Sequence, residues 1–81
     1  VKLPRDVSGD GLAHGLASLG YEITRQTGSH LRLTTTQHGE HHLTIPRHAA
    51  LRVGTLAAII AEVGRHFGMD RDELIGRVFG G

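Results

Sequence analysis

From Tyr21 to Ile45 apolar and polar side chains alternate with a period of two, interrupted by two glycine-centred turns. Tyr21 and Ile23 share one side of the first run, with Glu22, Thr24 and Gln26 on the other. After Thr27-Gly28-Ser29, Leu31 and Leu33 point one way and His30, Arg32 and Thr34 the other. A turn at Thr36 to Glu40 leads to a third run, with Leu43 and Ile45 inward, His42 and Thr44 outward, and Pro46 as its stop. Outside this region the period lengthens. Leu12, Leu16 and Leu19 predict a helix over residues 8–19, with Ser8 as N-cap and Gly20 as the terminator. Gly11 and Gly15 weaken it by roughly 1 kcal/mol each relative to alanine, so it depends on tertiary packing. Leu56, Ile59, Ile60 and Val63 form the buried stripe of a second helix, from Gly54-Thr55 to about His66. A last helix starts at Asp70, where Asp70 and Glu73 resemble a capping box and Leu74 and Val78 supply the packing side; Phe67 and Phe79 are expected to fill the join. Three strands with one apolar face each predict an antiparallel sheet covered by helices on one side, an α+β domain.

Length allows one such domain, residues 1–81. Cysteine is absent, which excludes a disulfide framework and a thiolate metal site and fits an intracellular protein. No apolar run is long enough to cross a bilayer and no signal peptide is visible, so no membrane partner is expected. Val1 in place of methionine points to a trimmed chain or an alternative start codon. The net charge of +1 is unevenly spread. Between residues 23 and 52 lie Arg25, Arg32, Arg47 and Arg52 against Glu40 alone, together with five of the seven histidines, while the flanks are weakly acidic. A basic centre of this kind suits an anionic partner or a solvated surface.

His30 heads the middle strand two residues from Arg32, both on the polar side. An imidazole exchanges protons near neutral pH and a guanidinium suits phosphate oxygens, so the pair suggests phosphodiester chemistry; an ordinary solvent-facing sheet has the same pattern. His38, Glu40, His41 and His42 have ligand chemistry for zinc, but they straddle a turn and alternate sides, which opposes convergence on one ion. Arg47, His48 and Arg52 precede the helix opening at Gly54-Thr55, whose free N–H groups and Thr55 hydroxyl suit a phosphate; a capped helix with solvated arginines is the alternative. Tyr21, Phe67 and Phe79 are too few for a base-stacking platform.

The blocks Leu19-Gly20-Tyr21, Arg25-Gln26-Thr27-Gly28-Ser29-His30, Leu43-Thr44-Ile45-Pro46-Arg47-His48, Gly54-Thr55-Leu56 and Ile59-Ile60, in this order, resemble the HicA family of bacterial and archaeal toxins over about residues 8–76. The resemblance implies a double-stranded-RNA-binding-domain-like fold, α-β-β-β-α(-α). It further implies a cytoplasmic mRNA interferase, without cofactor or metal, neutralised by a HicB-like antitoxin. It places the family's catalytic histidine at His30. RNA and phosphate contacts are then expected from Arg25, Gly28, Ser29, Arg32, His42, Arg47, His48, Arg52 and Thr55. The implied reaction is attack by the RNA's own 2′-hydroxyl, with His30 moving the proton, Arg32 and Arg25 stabilising the phosphoryl charge, and His42 or His48 as a second proton-transfer group. Lys2 as sole lysine, and Leu31 with threonines in the middle strand, depart from many relatives and bear on RNA affinity and substrate choice. Two other readings stand beside it: an RNA-binding module of the same fold without catalysis, and a protein that only docks an antitoxin.

Overall fold

In the computed structural model, which describes residues 2–80, the chain forms α1 (Gly9–Leu16), a 3-10 turn (Ala17–Leu19), β1 (Glu22–Gln26), β2 (His30–Thr35), β3 (His41–Pro46), α2 (Val53–Phe67) and α3 (Arg71–Phe79). Val1 lies outside the described residues. The order is the α+β succession that the periodicities predict. Ser8 caps α1 by accepting the Gly11 N–H at 2.9 Å, and Asp70 caps α3 by accepting the Glu73 N–H at 2.8 Å. Gly20, with φ 82°, is left-handed and turns the chain from the 3-10 turn into β1.

The sheet is antiparallel in the order β1-β2-β3. Leu31 pairs with Ile45 and Leu33 with Leu43, which puts all four on the helix-covered side. They meet Leu12 and Leu16 of α1, Leu56, Ile60 and Val63 of α2, and Leu74 of α3 in one core. Each fully buried aliphatic side chain stabilises the fold by about 1.5–3 kcal/mol, and a one-residue slip of β2 would expose its share, so the register is strongly fixed. Thr35 is the polar member of this interior; its hydroxyl donates to Leu19 O at 2.9 Å.

The first strand departs from simple alternation. Ile23 pairs with Leu33, but the next pair is Arg25 with Arg32, so a β-bulge falls between Ile23 and Arg25. Gln26 then pairs with Leu31 and shares its side, not the outward side that alternation predicts. Ile23, expected to be inward, is 52% exposed and outside the core cluster, since the helices leave this part of β1 uncovered. Phe67 packs its ring against Tyr21, His38 and His66, at the sheet end of α2. Phe79 lies half-buried against the core.

Two helices begin at the same end of the sheet. Gly9 N–H donates to His48 O at 3.0 Å, beside the end of β3, and Leu51 N–H donates to Val7 O at 2.7 Å just before α2. At the opposite end Leu19 meets Thr35, and His66 of α2 reaches the β2–β3 turn. The N-termini of α1 and α2 therefore both lie towards the end where β2 starts and β3 stops.

Candidate nucleic-acid interface

The head of β2 is a rigid backbone corner. Thr27 N–H donates to His30 O at 2.9 Å, and His30 N–H returns to Thr27 Oγ1 at 3.0 Å. From the other side Arg47 N–H donates to Ser29 O at 2.9 Å, tying the end of β3 to the turn. His30 pairs with Pro46 and stands exposed on the uncovered face. Its Nδ1 lies 3.0 Å from Ser29 Oγ, and Nε2 has no protein partner among the described residues. Gly28 lies in open space: a Cβ there would meet nothing within 4 Å.

The bulge in β1 determines what faces His30. By placing Arg25 opposite Arg32, it puts two exposed arginines on neighbouring strands of the uncovered face. Arg32 follows His30 by two residues, about 7 Å along the strand. Among the described residues, no carboxylate pairs with Arg25 or Arg32. Like charges directly opposite each other destabilise a ladder, and an anion between them relieves the repulsion. Thr24 also turns outward, bonding Thr34 Oγ1 at 3.0 Å, and Arg32 pairs with Thr44 on its other side. The outward residues of the resulting surface are polar and include no Phe, Tyr or Trp.

Other residues expected at this site are distributed more widely. His42 pairs with Thr34, four residues from His30 along β2, a separation of about 13 Å. Both its ring nitrogens are engaged, Nδ1 with Thr34 Oγ1 and Nε2 with Glu40 Oε2, each at 2.8 Å. Arg47 turns to the first turn of α1, where Nε and Nη2 each lie 3.3 Å from the Asp10 carboxylate. His48 is exposed one residue further, with no side-chain partner among the described residues. Arg52 is the N-cap residue of α2 but makes no side-chain cap bond, and Thr55 is half-buried in the first turn. His30, Ser29, Gly28, Arg25 and Arg32 are therefore brought together, His48 lies near them through Arg47, and His42 stands apart. His38, Glu40, His41 and His42 do not converge, and no group of three or more His, Cys, Asp or Glu among the described residues has an arrangement that could hold a metal ion. No helix of the described residues is long and apolar enough to cross a membrane.

The family model described as "HicA toxin of bacterial toxin-antitoxin" matches residues 12–65, two thirds of the chain, and the match contains every residue just placed around His30. The chain belongs to the HicA toxin family. It is thus the toxin of a toxin–antitoxin system, and a cognate antitoxin is its implied partner. Comparison with curated proteins and with solved structures returned no match. The matched segment runs from α1 into α2; α3 lies beyond it.

This HicA toxin carries a second polar cluster that the sequence pattern does not reveal. His41, on the covered side of β3, places Nδ1 2.7 Å from the Tyr21 hydroxyl and Nε2 3.1 Å from Glu62 Oε2 of α2. A carboxylate only accepts, so Nε2 carries the proton towards Glu62 and Nδ1 takes the Tyr21 O–H. The His41 ring stacks on His66 at 4.4 Å, and His66 Nε2 donates to Gln37 O and Gly39 O. Burial, then the negative charge of Glu62, push the Tyr21 hydroxyl up to about 12. A weakly acidic, enclosed phenol is a poor catalyst at neutral pH; this cluster fastens the β2–β3 turn to α2. Tyr21, His41 and Glu62 lie 20 or more residues apart, so no local motif announces the chain they form.

Proposed function

We propose that this toxin is an endoribonuclease, an mRNA interferase, in which His30 exchanges the proton and Arg32 with Arg25 receives the phosphate. The observation that carries the reading is the exposed imidazole held at a hydrogen-bonded corner on the same face as Arg25 and Arg32, which have no carboxylate partner among the described residues. His30 takes the proton of a ribose 2′-hydroxyl through Nε2. The 2′ oxygen bonds to phosphorus as the bond from phosphorus to the 5′ oxygen breaks, and that leaving oxygen takes up a proton. The products are a 2′,3′-cyclic phosphate and a 5′-hydroxyl. Negative charge building on the non-bridging oxygens is met by preorganised cations, and proton transfer of this kind contributes on the order of 10²–10⁴-fold. His48, exposed and near the corner, is the better placed of the two histidines to protonate the leaving oxygen, since both nitrogens of His42 are already bonded.

An open face suits a polymer. Cavities of about 330, 330 and 540 Å³ lie elsewhere, lined by α2–α3, by the N-terminal segment with α3, and by α1 with β1; none includes His30, Arg25 or Arg32. The substrate is therefore held along its backbone, with phosphates as the main contacts.

The test is end-group analysis of RNA incubated with the purified toxin. Fragments ending in 2′,3′-cyclic phosphate, and no cleavage of the same strand with 2′-O-methyl groups, are expected. Fragments with 5′-phosphate ends would refute the 2′-hydroxyl mechanism. A mobility shift without fragments would instead describe a binding module.

A further inference from the structure

We propose that Ser29 is a positioning residue for His30: its hydroxyl accepts the Nδ1–H of the ring and so holds Nε2 unprotonated towards the substrate. The inference rests on the ribonuclease reading for its purpose, but its physical content is a statement about the free protein. The two atoms lie 3.0 Å apart. Both residues are fixed in backbone before their side chains meet, Ser29 through Arg47 N–H on its carbonyl and His30 through two hydrogen bonds with Thr27. Little backbone freedom remains to be lost when the hydroxyl and the ring come together, which leaves the side-chain rotamers to be ordered.

Chemistry selects the direction of this bond. A serine hydroxyl both donates and accepts, and a neutral imidazole has one nitrogen of each kind. If Oγ–H donated to Nδ1, the proton of the ring would sit on Nε2, and the exposed nitrogen could not take a proton from a 2′-hydroxyl. It would also have to be undone once the ring became charged, because an imidazolium carries hydrogen on both nitrogens. With Nδ1–H donating to Oγ, the same bond serves the neutral ring and the imidazolium. The ring then gains and loses its proton at Nε2 without rearrangement, as a histidine does when a fixed acceptor holds its other nitrogen. Ser29 is a neutral acceptor, so it orients the ring more than it stabilises the cation. The serine proton stays available for a phosphate oxygen of the bound strand.

Long-range proton–nitrogen NMR on the nitrogen-labelled protein reads the tautomer of each histidine, and a His30→Gln sample identifies the His30 signals. At about pH 8, where imidazole is ordinarily neutral, wild-type His30 is expected in the Nδ1–H form. Ser29→Ala is expected to shift it to the Nε2–H form and Ser29→Thr to keep it as in wild type. In RNA cleavage Ser29→Ala should lower kcat about tenfold, the scale of one lost hydrogen bond, with KM within about twofold, and Ser29→Thr should recover most of the rate. The same tautomer in wild type and Ser29→Ala, or a wild-type ring protonated on Nε2, would overturn the inference. Failure of the ribonuclease reading gives a different record: no fragments from any variant, wild type included, with the tautomer assignment standing or falling independently.

Discussion

Raising the pH through the tyrosine range should destabilise this protein by a mechanism visible at a single residue. Tyr21 is the only tyrosine and tryptophan is absent, so absorbance at about 295 nm reports one phenol. In the native state its hydroxyl is 2.7 Å from His41 and its ionisation is pushed up to about 12, first by burial and then by Glu62. In the unfolded chain a tyrosine ionises near 10. The folded value lies above the unfolded one, so the stabilisation is fully present below about pH 10 and is lost as pH rises towards 12. Two units at about 1.36 kcal/mol each give a loss on the order of 2–3 kcal/mol. Against a total of roughly 4–12 kcal/mol for a domain of this length, that is a visible fraction. The assay is an absorbance titration alongside urea midpoints measured between about pH 9 and 12. A native titration midpoint well above 10 is expected, with a falling urea midpoint over the same interval. Glu62→Gln should lower the titration midpoint only in part, since burial is the larger cause. Tyr21→Phe should abolish the tyrosine-dependent fall. A native midpoint near 10, or a fall in stability as steep in Tyr21→Phe, would show that the buried phenol is not the source of the alkaline loss.

Other outcomes follow from individual contacts. Gly9→Ala puts a Cβ 2.1 Å from Pro46 O, so α1 must move off β3; a loss of about 1–3 kcal/mol in urea unfolding is expected. Thr35→Val keeps the shape but removes the donor to Leu19 O and the acceptor of Gln37 N–H, and should cost about 1–3 kcal/mol by the same measurement. Arg25→Ala and Arg32→Ala should each weaken RNA binding and flatten its salt dependence, with thermal stability unchanged or slightly raised because a like-charge pair is removed; binding titrations at two salt concentrations check this. His42→Gln should leave cleavage within about threefold of wild type, whereas His48→Ala should slow it by tenfold or more in the same gel assay.

Most of the architecture was legible because buried positions and element periods agree. In β2 and β3 the inward leucines and Ile45 alternate with outward His30, Arg32, Thr34, His42 and Thr44, so only one register buries them all, and the placement of His30 and Arg32 on the uncovered face follows. Ser8 and Asp70 were legible as caps because a short oxygen-bearing side chain precedes each helical pattern. The end of β1 was not. After Ile23 the run Thr24-Arg25-Gln26-Thr27 has no apolar residue, so nothing in the pattern registers the extra residue of the bulge. The consequence falls on the proposed site, since that residue pairs Arg25 with Arg32. His42 was placed on the correct face, but its position along the strand depends on antiparallel pairing, which sets it beside Thr34 and far from His30. The salt bridge of Arg47 to Asp10 and the chain Tyr21–His41–Glu62 join residues distant in sequence, and alternation carries no information about them.

Cleavage of a labelled transcript by purified wild type and His30→Ala tests most directly whether the exposed imidazole at the head of β2 cuts RNA. His30 is exposed and its backbone bonds survive the substitution, so the variant should keep the circular dichroism and thermal midpoint of wild type. Fragments from wild type, with a loss of 10²-fold or more in the folded variant, are the predicted result. Equal cleavage by the two proteins would rule out His30 as the proton-transfer group.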